Sequence, residues 1–178
     1  ELAMSSDATC SGEEWSILHN AQFADSTSIE INGIGTWINP TMELIQNTVN
    51  ATDTDVVTTV LLTAHTSFGC TTSAFVEHTV HPDVTAAFEA PESSCTPLQG
   101  AFTNNSVHAS GSFAWNFGDG TTSDLESPVH TFDTQSSEDE AFVVTLIATS
   151  TAGCADTTAQ TVAVWGAPTA ELSINEIE

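Results

Sequence analysis

The stretch Phe113-Ala114-Trp115-Asn116-Phe117-Gly118-Asp119-Gly120-Thr121-Thr122-Ser123-Asp124-Leu125-Glu126-Ser127-Pro128-Val129-His130-Thr131-Phe132 decides how this chain is read. Phe113 to Phe117 is a short aromatic segment suited to a strand. Gly118-Asp119-Gly120 is a turn that takes positive φ at little cost. Behind Pro128, Val129-His130-Thr131-Phe132 suits a second extended segment. The run describes a hairpin anchored by a buried Trp115, with no nucleophile or ligand cluster built into it.

Working outward, the cysteines divide the chain into two similar halves. They stand at 10, 70, 95 and 154, so the first pair is 60 residues apart and the second 59. Ala64-His-Thr-Ser-Phe-Gly69-Cys70 aligns with Ala148-Thr-Ser-Thr-Ala-Gly153-Cys154, which marks a tandem repeat. Before each second cysteine lies a segment of period two. Phe142, Val144, Leu146 and Ala148 alternate with Val143, Thr145, Ile147 and Thr149; Val60, Leu62 and Ala64 alternate with Thr59, Leu61 and Thr63. That alternation predicts half-buried strands, with the first-named set on the core face. Val162 and Val164 match His78 and Val80 in a last strand. The first repeat diverges: Trp37 lies 33 residues before Cys70, whereas Trp115 lies 39 before Cys154. Where Gly-Asp-Gly is expected, it has Ile38-Asn39-Pro40-Thr41. The expectation is the same sandwich with a reshaped hairpin and with Trp37 and Trp115 in the two cores.

The Trp-aromatic-Gly-Asp-Gly run, followed by Pro128 and His130-Thr131-Phe132, resembles the core motif of the PKD domain. Phe132 stands where that family usually has tyrosine. The resemblance implies an all-β chain of tandem immunoglobulin-like β-sandwiches, with Trp37, Trp115, Gly118, Asp119, Gly120, Pro128, His130 and Phe132 as structural residues. The expected domains are 1–82, a divergent copy; 83–167, the better match; and 168–178, a linker and the first strand of a further repeat or an assembly strand. With Gly-Cys in the penultimate turn, the repeat also resembles PKD arrays of large secreted and cell-surface proteins of Bacteroidota, which are often linked to adhesion or gliding. Such likeness implies an extracellular stalk, filament or adhesin whose partners are neighbouring repeats or copies of itself. The alternative it implies is an accessory module that binds carbohydrate or protein, for which Trp15 and Trp165 are the candidate exposed aromatics.

Composition excludes other classes. The chain holds 24 Asp and Glu and no Lys or Arg, where an average chain of this size carries roughly twenty basic residues. It therefore has no basic patch for nucleic acid and no attraction to anionic lipid. No apolar run is long enough for a membrane-spanning helix. Glu1 and Glu178 read as cuts, either of a mature product or of a longer chain, and the repeat pattern favours an excerpt of an array. The even cysteine count at equal spacing predicts disulfides Cys10–Cys70 and Cys95–Cys154, each worth about 4 kcal/mol by loop closure, and an oxidising location. Free buried thiols are the alternative; zinc lacks any Cys-x-x-Cys to seed a site.

The remaining candidate chemistry is sparse. His78-x-x-His81 on a strand places its two rings on opposite faces, so it cannot share a metal. No Gly-x-Ser-x-Gly elbow exists. No cofactor is required, and calcium is the one cation for which ligands are present: Asp119 with Asp124, or the acidic loop Glu138-Asp139-Glu140, though neither has EF-hand spacing. Asn50-Ala-Thr52 and Asn104-Asn-Ser106 match the N-glycosylation pattern, and Asp25-Ser26-Thr27 and Asp156-Thr157-Thr158 resemble the O-glycan acceptor motif of Bacteroidota.

Overall fold

The computed structural model describes residues 2–4, 8–32, 34–38, 43–135, 137–170 and 172. The chain forms two compact units, 1–83 and 84–178, and its described residues contain strands and turns but no helix.

In the first unit the strands are β1 (Leu2–Met4), β2 (Ala8–Cys10), β3 (Glu14–His19), β4 (Ser26–Ile31), β5 (Gly35–Ile38), β6 (Glu43–Asn47), β7 (Val56–His65) and β8 (Thr71–His81). They make one sheet in the order β2-β8-β7-β4-β5 and another in the order β1-β3-β6. Trp15 and Ile17 from β3 pack against Ile29, Ile31, Val60 and Leu62 from the larger sheet. Apolar residues alternate along these strands because side chains of successive residues point to opposite faces.

The second unit repeats the plan with β9 (Phe88–Glu89), β10 (Ser94–Cys95), β11 (Leu98–Ala101), β12 (Thr103–Asn104), β13 (Ser112–Asn116), β14 (Thr122–Ser123), β15 (Val129–Phe132), β16 (Glu140–Thr149) and β17 (Ala155–Trp165). Its larger sheet runs β10-β17-β16-β13-β14, and the short pairs β9-β12 and β11-β15 take the place of the smaller sheet. Register makes the repeat quantitative. Val60 faces Val76 across β7 and β8, and Val144 faces Gln160 across β16 and β17, the same pairing 84 residues on. Val144, Leu146 and Ala148 are buried while Val143 and Ile147 are exposed, so the core face is the one the alternation predicts.

Both long hairpins close on the same loop. Thr66 N–H donates to the Cys70 carbonyl and Gly69 N–H to the Thr66 carbonyl; Ser150, Cys154 and Gly153 repeat both bonds. Gly69 and Gly153 sit at φ 85° and 92°, a conformation that glycine adopts without a Cβ clash.

Two expectations are corrected by this register. Leu62 and Leu146 are equivalent, and across from them lie Ile29 and Trp115. The counterpart of Trp115 is therefore Ile29, not Trp37. Trp37 is on the next strand, opposite Ile29, where the second unit has Ser123 opposite Trp115. Trp37 is half-buried and packs on the margin of the core. The fully buried indole of the first unit is Trp15, only 1% exposed, so it is not an exposed aromatic for ligand binding. It comes from the smaller sheet, whereas Trp115 comes from the larger one. Gly100 takes the corresponding place in the second unit, and a Cβ there would meet the ring of Pro91. The turn equivalent to Gly-Asp-Gly lies between Ile31 and Gly35; residues 39–41 are outside the described residues, as are 171 and 173–178 of the terminal segment.

The second correction concerns the cysteines. Cys10 ends β2 and pairs in register with His81, the last residue of β8, whereas Cys70 immediately precedes the first residue of that strand. The eleven residue steps from Cys70 to His81, at about 3.3 Å each, put the two roughly 35 Å apart, and a disulfide needs Cα atoms within about 7 Å. Cys95 pairs with Trp165 at the end of β17 and Cys154 precedes its start, so the same separation holds in the second unit. Neither Cys10–Cys70 nor Cys95–Cys154 forms. Cys10 and Cys154 are disulfide-bonded, and Cys70 and Cys95 are free, exposed thiols.

Candidate functional site

The Gly118-Asp119-Gly120 hairpin is where the polar groups of the second unit converge. Asn116 Oδ1 accepts from Gly118 N–H at 2.9 Å, starting the turn. Gly118 holds φ 81°, and a Cβ on it would lie 2.7 Å from the Val143 carbonyl oxygen of β16. This glycine is required both by its backbone conformation and by the close approach of another strand.

Asp119 uses both carboxylate oxygens. Oδ1 accepts from Thr121 N–H at 2.9 Å and from its hydroxyl at 2.7 Å; Oδ2 is 2.7 Å from His130 Nε2. His130 stacks on Phe117 at 4.0 Å between ring centroids. The pair thus ties the turn to β15. Burial of the Asp119 carboxyl pushes its pKa up, but the bonds from the Thr121 hydroxyl and amide and from His130 outweigh that. The group titrates below its ordinary 3.8. Its ionised form therefore adds stability that is complete above pH 3.8 and is lost as pH falls through the lower folded value. Asp119→Asn is expected to destabilise the second unit by about 1 kcal/mol at neutral pH. The gap from the parent should narrow as melting is followed downward in pH below the ordinary value of 3.8; a gap that stays constant with pH would refute the carboxylate's role.

Beneath the turn lies an aromatic cluster. Trp115 sits with its ring centroid 5.1 Å from Phe88, 5.7 Å from Phe102 and 6.4 Å from Phe117. Its Nε1–H donates to the Leu125 carbonyl at 2.8 Å, satisfying the one polar atom of a buried indole. Pro128 is buried, and its carbonyl accepts from Phe102 N–H at 2.9 Å, which carries the sheet pairing past the end of β11. Phe132 is buried between Phe102 and Phe142, surroundings that favour a ring without the polar phenol oxygen.

Other candidate residues are also committed to structure. His78 is buried under Trp15, with stacked rings 4.1 Å apart, and its Nε2 is 3.0 Å from the Thr9 hydroxyl; His81, on the same strand, pairs with Asp55 at 2.8 Å. Asn50 is not available as a glycan acceptor: its buried amide donates to the carbonyls of Thr54 and Val80 at 2.8 and 2.7 Å. The Asp25 carboxylate accepts from Ser67 N–H, and Asp156 accepts from Ala86 N–H at 2.8 Å. In both cases those backbone bonds hold the carboxyl pKa below its ordinary value. Asp139 accepts from Gly166 N–H at 3.0 Å. Among the described residues no three His, Cys, Asp or Glu side chains gather as metal ligands, so the calcium expectation at Asp119 and Asp124 finds no such cluster there. The outer face of the β13-β14-β16 sheet carries an open groove of about 550 Å³ lined by Asn116, Thr122, Ser123, Asp124, Thr145 and Ile147. It contains no histidine or cysteine and only one acidic residue.

Sequence reasoning missed Trp15 as a core residue and the β4-β5 turn. The signals were present: Asn32-Gly33 is a strong hairpin dipeptide, and Ile29 and Ile31 alternate ahead of it.

The fold and the self-contained polar network define a pair of immunoglobulin-like β-sandwich modules. Residues 79–164 match the family model described as PKD domain. That match covers slightly under half of the chain and nearly all of the second unit's sandwich. Among solved structures, the PKD1 domain of Vibrio cholerae metalloprotease PrtV is 28% identical, over 47% of this chain and 98% of that one, with a TM-score of 0.40. The PKD1 domain of Vibrio anguillarum Epp is 25% identical, over 48% of this chain and 96% of that one, with a TM-score of 0.39. A calcium-stabilised, ice-binding adhesin of an Antarctic bacterium is 14% identical, over 93% of this chain and 48% of that one, with a TM-score of 0.41. No curated protein matches the sequence.

Proposed function

We propose that the chain is a non-enzymatic structural spacer within an extracellular stalk, filament or adhesin. The observation that carries this reading is the use of the Asp119–His130 pair: the groups of the motif best suited to chemistry bond to each other and to their own turn. Paired sheets joined through a continuous apolar core resist extension, because long hairpins must lose their ladder hydrogen bonds together. The cysteine chemistry and the absence of Lys and Arg suit an oxidising exterior where trypsin-like proteases find no cleavage site. A spacer makes a mechanical prediction. When the reduced chain is pulled from its ends in a single-molecule experiment, two separate unfolding events are expected. Each should release on the order of 80 residues, or roughly 25–29 nm of contour length. Extension without resolved events would overturn the spacer role.

A further inference from the structure

At one end of the first unit's sandwich, the loop between β3 and β4 (residues 20–25) meets the loop between β7 and β8 (residues 66–70). Phe23 in the one is 96% exposed and Phe68 in the other 94%. The loops are tied together. The Asp25 carboxylate, two residues past Phe23, accepts from the N–H of Ser67, the neighbour of Phe68, and Asp25 N–H donates to the His65 carbonyl at 2.9 Å. Phe23 holds φ 61°, in the left-handed region, which a bulky side chain enters only where its surroundings impose it. A single exposed apolar residue is ordinary on a protein surface; two whole rings on loops fastened to each other are not.

The second unit supplies the comparison. Gly111 N–H donates to the Thr149 carbonyl as Asp25 N–H does to that of His65, so the same two loops are present there. They read Asn105-Ser-Val-His-Ala-Ser-Gly111 and Ser150-Thr-Ala-Gly-Cys154, with Ala152 in the place of Phe68 and no phenylalanine or tryptophan in either. The sandwich and its hairpin loop therefore do not require the rings. Both rings also lie outside residues 79–164, so they are no part of what matches the PKD family model.

Beside Phe23 lies a cavity of about 330 Å³ lined by Asn20, Asp25, Ser26 and Thr27 among others, with no aliphatic side chain larger than alanine. A second cavity, of about 210 Å³, has Gln22 and Thr72 in its wall together with Leu62 and Ala64. Rings that face water next to amide and hydroxyl groups suit a ligand with an apolar face and a polar rim.

We propose that this end of the first unit binds neutral carbohydrate, with Phe23 and Phe68 as stacking platforms for pyranose rings and the 20–27 segment as the hydrogen-bonding wall. The C–H face of a pyranose is apolar and carries partial positive charge, so it stacks on the electron-rich face of an aromatic ring. Its hydroxyls donate and accept around the edge. A chain of net charge −24 without Lys or Arg repels sulfated, phosphorylated and uronate glycans. A cationic ligand finds no counter-charge, because the one carboxylate of the larger cavity's lining is bonded to Ser67. A lipid or an apolar peptide would meet a polar wall. The inference goes beyond the spacer role and does not depend on it.

The test is native gel electrophoresis of the whole chain through gels containing hydroxyethyl cellulose, galactomannan or laminarin, with alginate as the anionic control. At least one neutral glycan is expected to retard the parent, and alginate to leave it unchanged. Phe23→Ala and Phe68→Ala should each weaken binding about tenfold while melting like the parent, since both rings stand in water. Leucine at either position should bind as poorly as alanine, and tryptophan should bind as well as phenylalanine, because stacking needs a ring and not merely an apolar side chain. Failure of all three neutral glycans to retard the parent overturns the proposal, as does retardation that survives both alanine substitutions. Binding to phosphatidylcholine vesicles, or self-association in sedimentation, that alanine abolishes and leucine preserves would assign the rings to an apolar partner and overturn it as well. None of these outcomes bears on the spacer role, which the pulling experiment tests separately.

Discussion

Trp15→Ala is expected to remove about 3–5 kcal/mol from the first unit, and Trp37→Ala far less, although the sequence motif points to Trp37. Trp15 is buried on β3, its ring stacked 4.1 Å from His78 and its Nε1–H directed at the Thr48 hydroxyl at 3.3 Å. Truncation leaves a cavity between the two sheets, and it strips the apolar cover from a buried imidazole, which has a second cost. Trp37 lies on edge strand β5 with its ring over Gly35 and is only partly buried at the margin of the core, so less is lost when it goes. Hydrogen exchange under mild denaturant reads the two variants separately from the second unit. Peptides from β3, β4 and β7 should lose protection together in Trp15→Ala and keep most of it in Trp37→Ala. Equal losses would restore Trp37 to the core.

The contrast between these tryptophans shows what could be read directly from the sequence. Alternation along 59–64 and 142–149 gave the strands and their buried face, because a strand has a period of two whatever its partners are. Gly118 and Gly120 were legible as turn residues for a similar local reason: positive φ is a property of the residue itself. The partner of a strand is not local. A tryptophan before a presumed turn looked equivalent to Trp115, yet the ladder puts Ile29 there and hands the indole to the opposite sheet. The cysteines failed in the same way. Equal spacing came from repetition of the whole module, and an eleven-residue strand lies between the two positions. The Asp119–His130 bond was also hidden, since it spans a loop whose path depends on the Trp115–Leu125 contact.

In the second unit, Trp115→Ala is expected to cost about 3–5 kcal/mol. For a module of this size that corresponds to a fall in melting temperature of roughly 15–30 °C. The indole touches aromatic rings from both halves of the sandwich, Phe88 and Phe102 on one side and Phe117 just past the end of its own strand, so its removal opens the core where the halves meet. Trp115→Phe separates packing from tethering. The phenyl ring refills much of the space but has no donor for the Leu125 carbonyl, so the 121–127 loop loses its anchor while β16 and β17 keep their ladder. Calorimetry should therefore find a smaller loss for phenylalanine than for alanine. Exchange should find the loop deprotected in both variants and the long hairpin deprotected only in Trp115→Ala. Since a domain is stable by only about 5–15 kcal/mol in total, alanine at this one position removes a large part of what keeps the second unit folded. Unchanged melting of Trp115→Ala would mean that the motif does not anchor the sandwich.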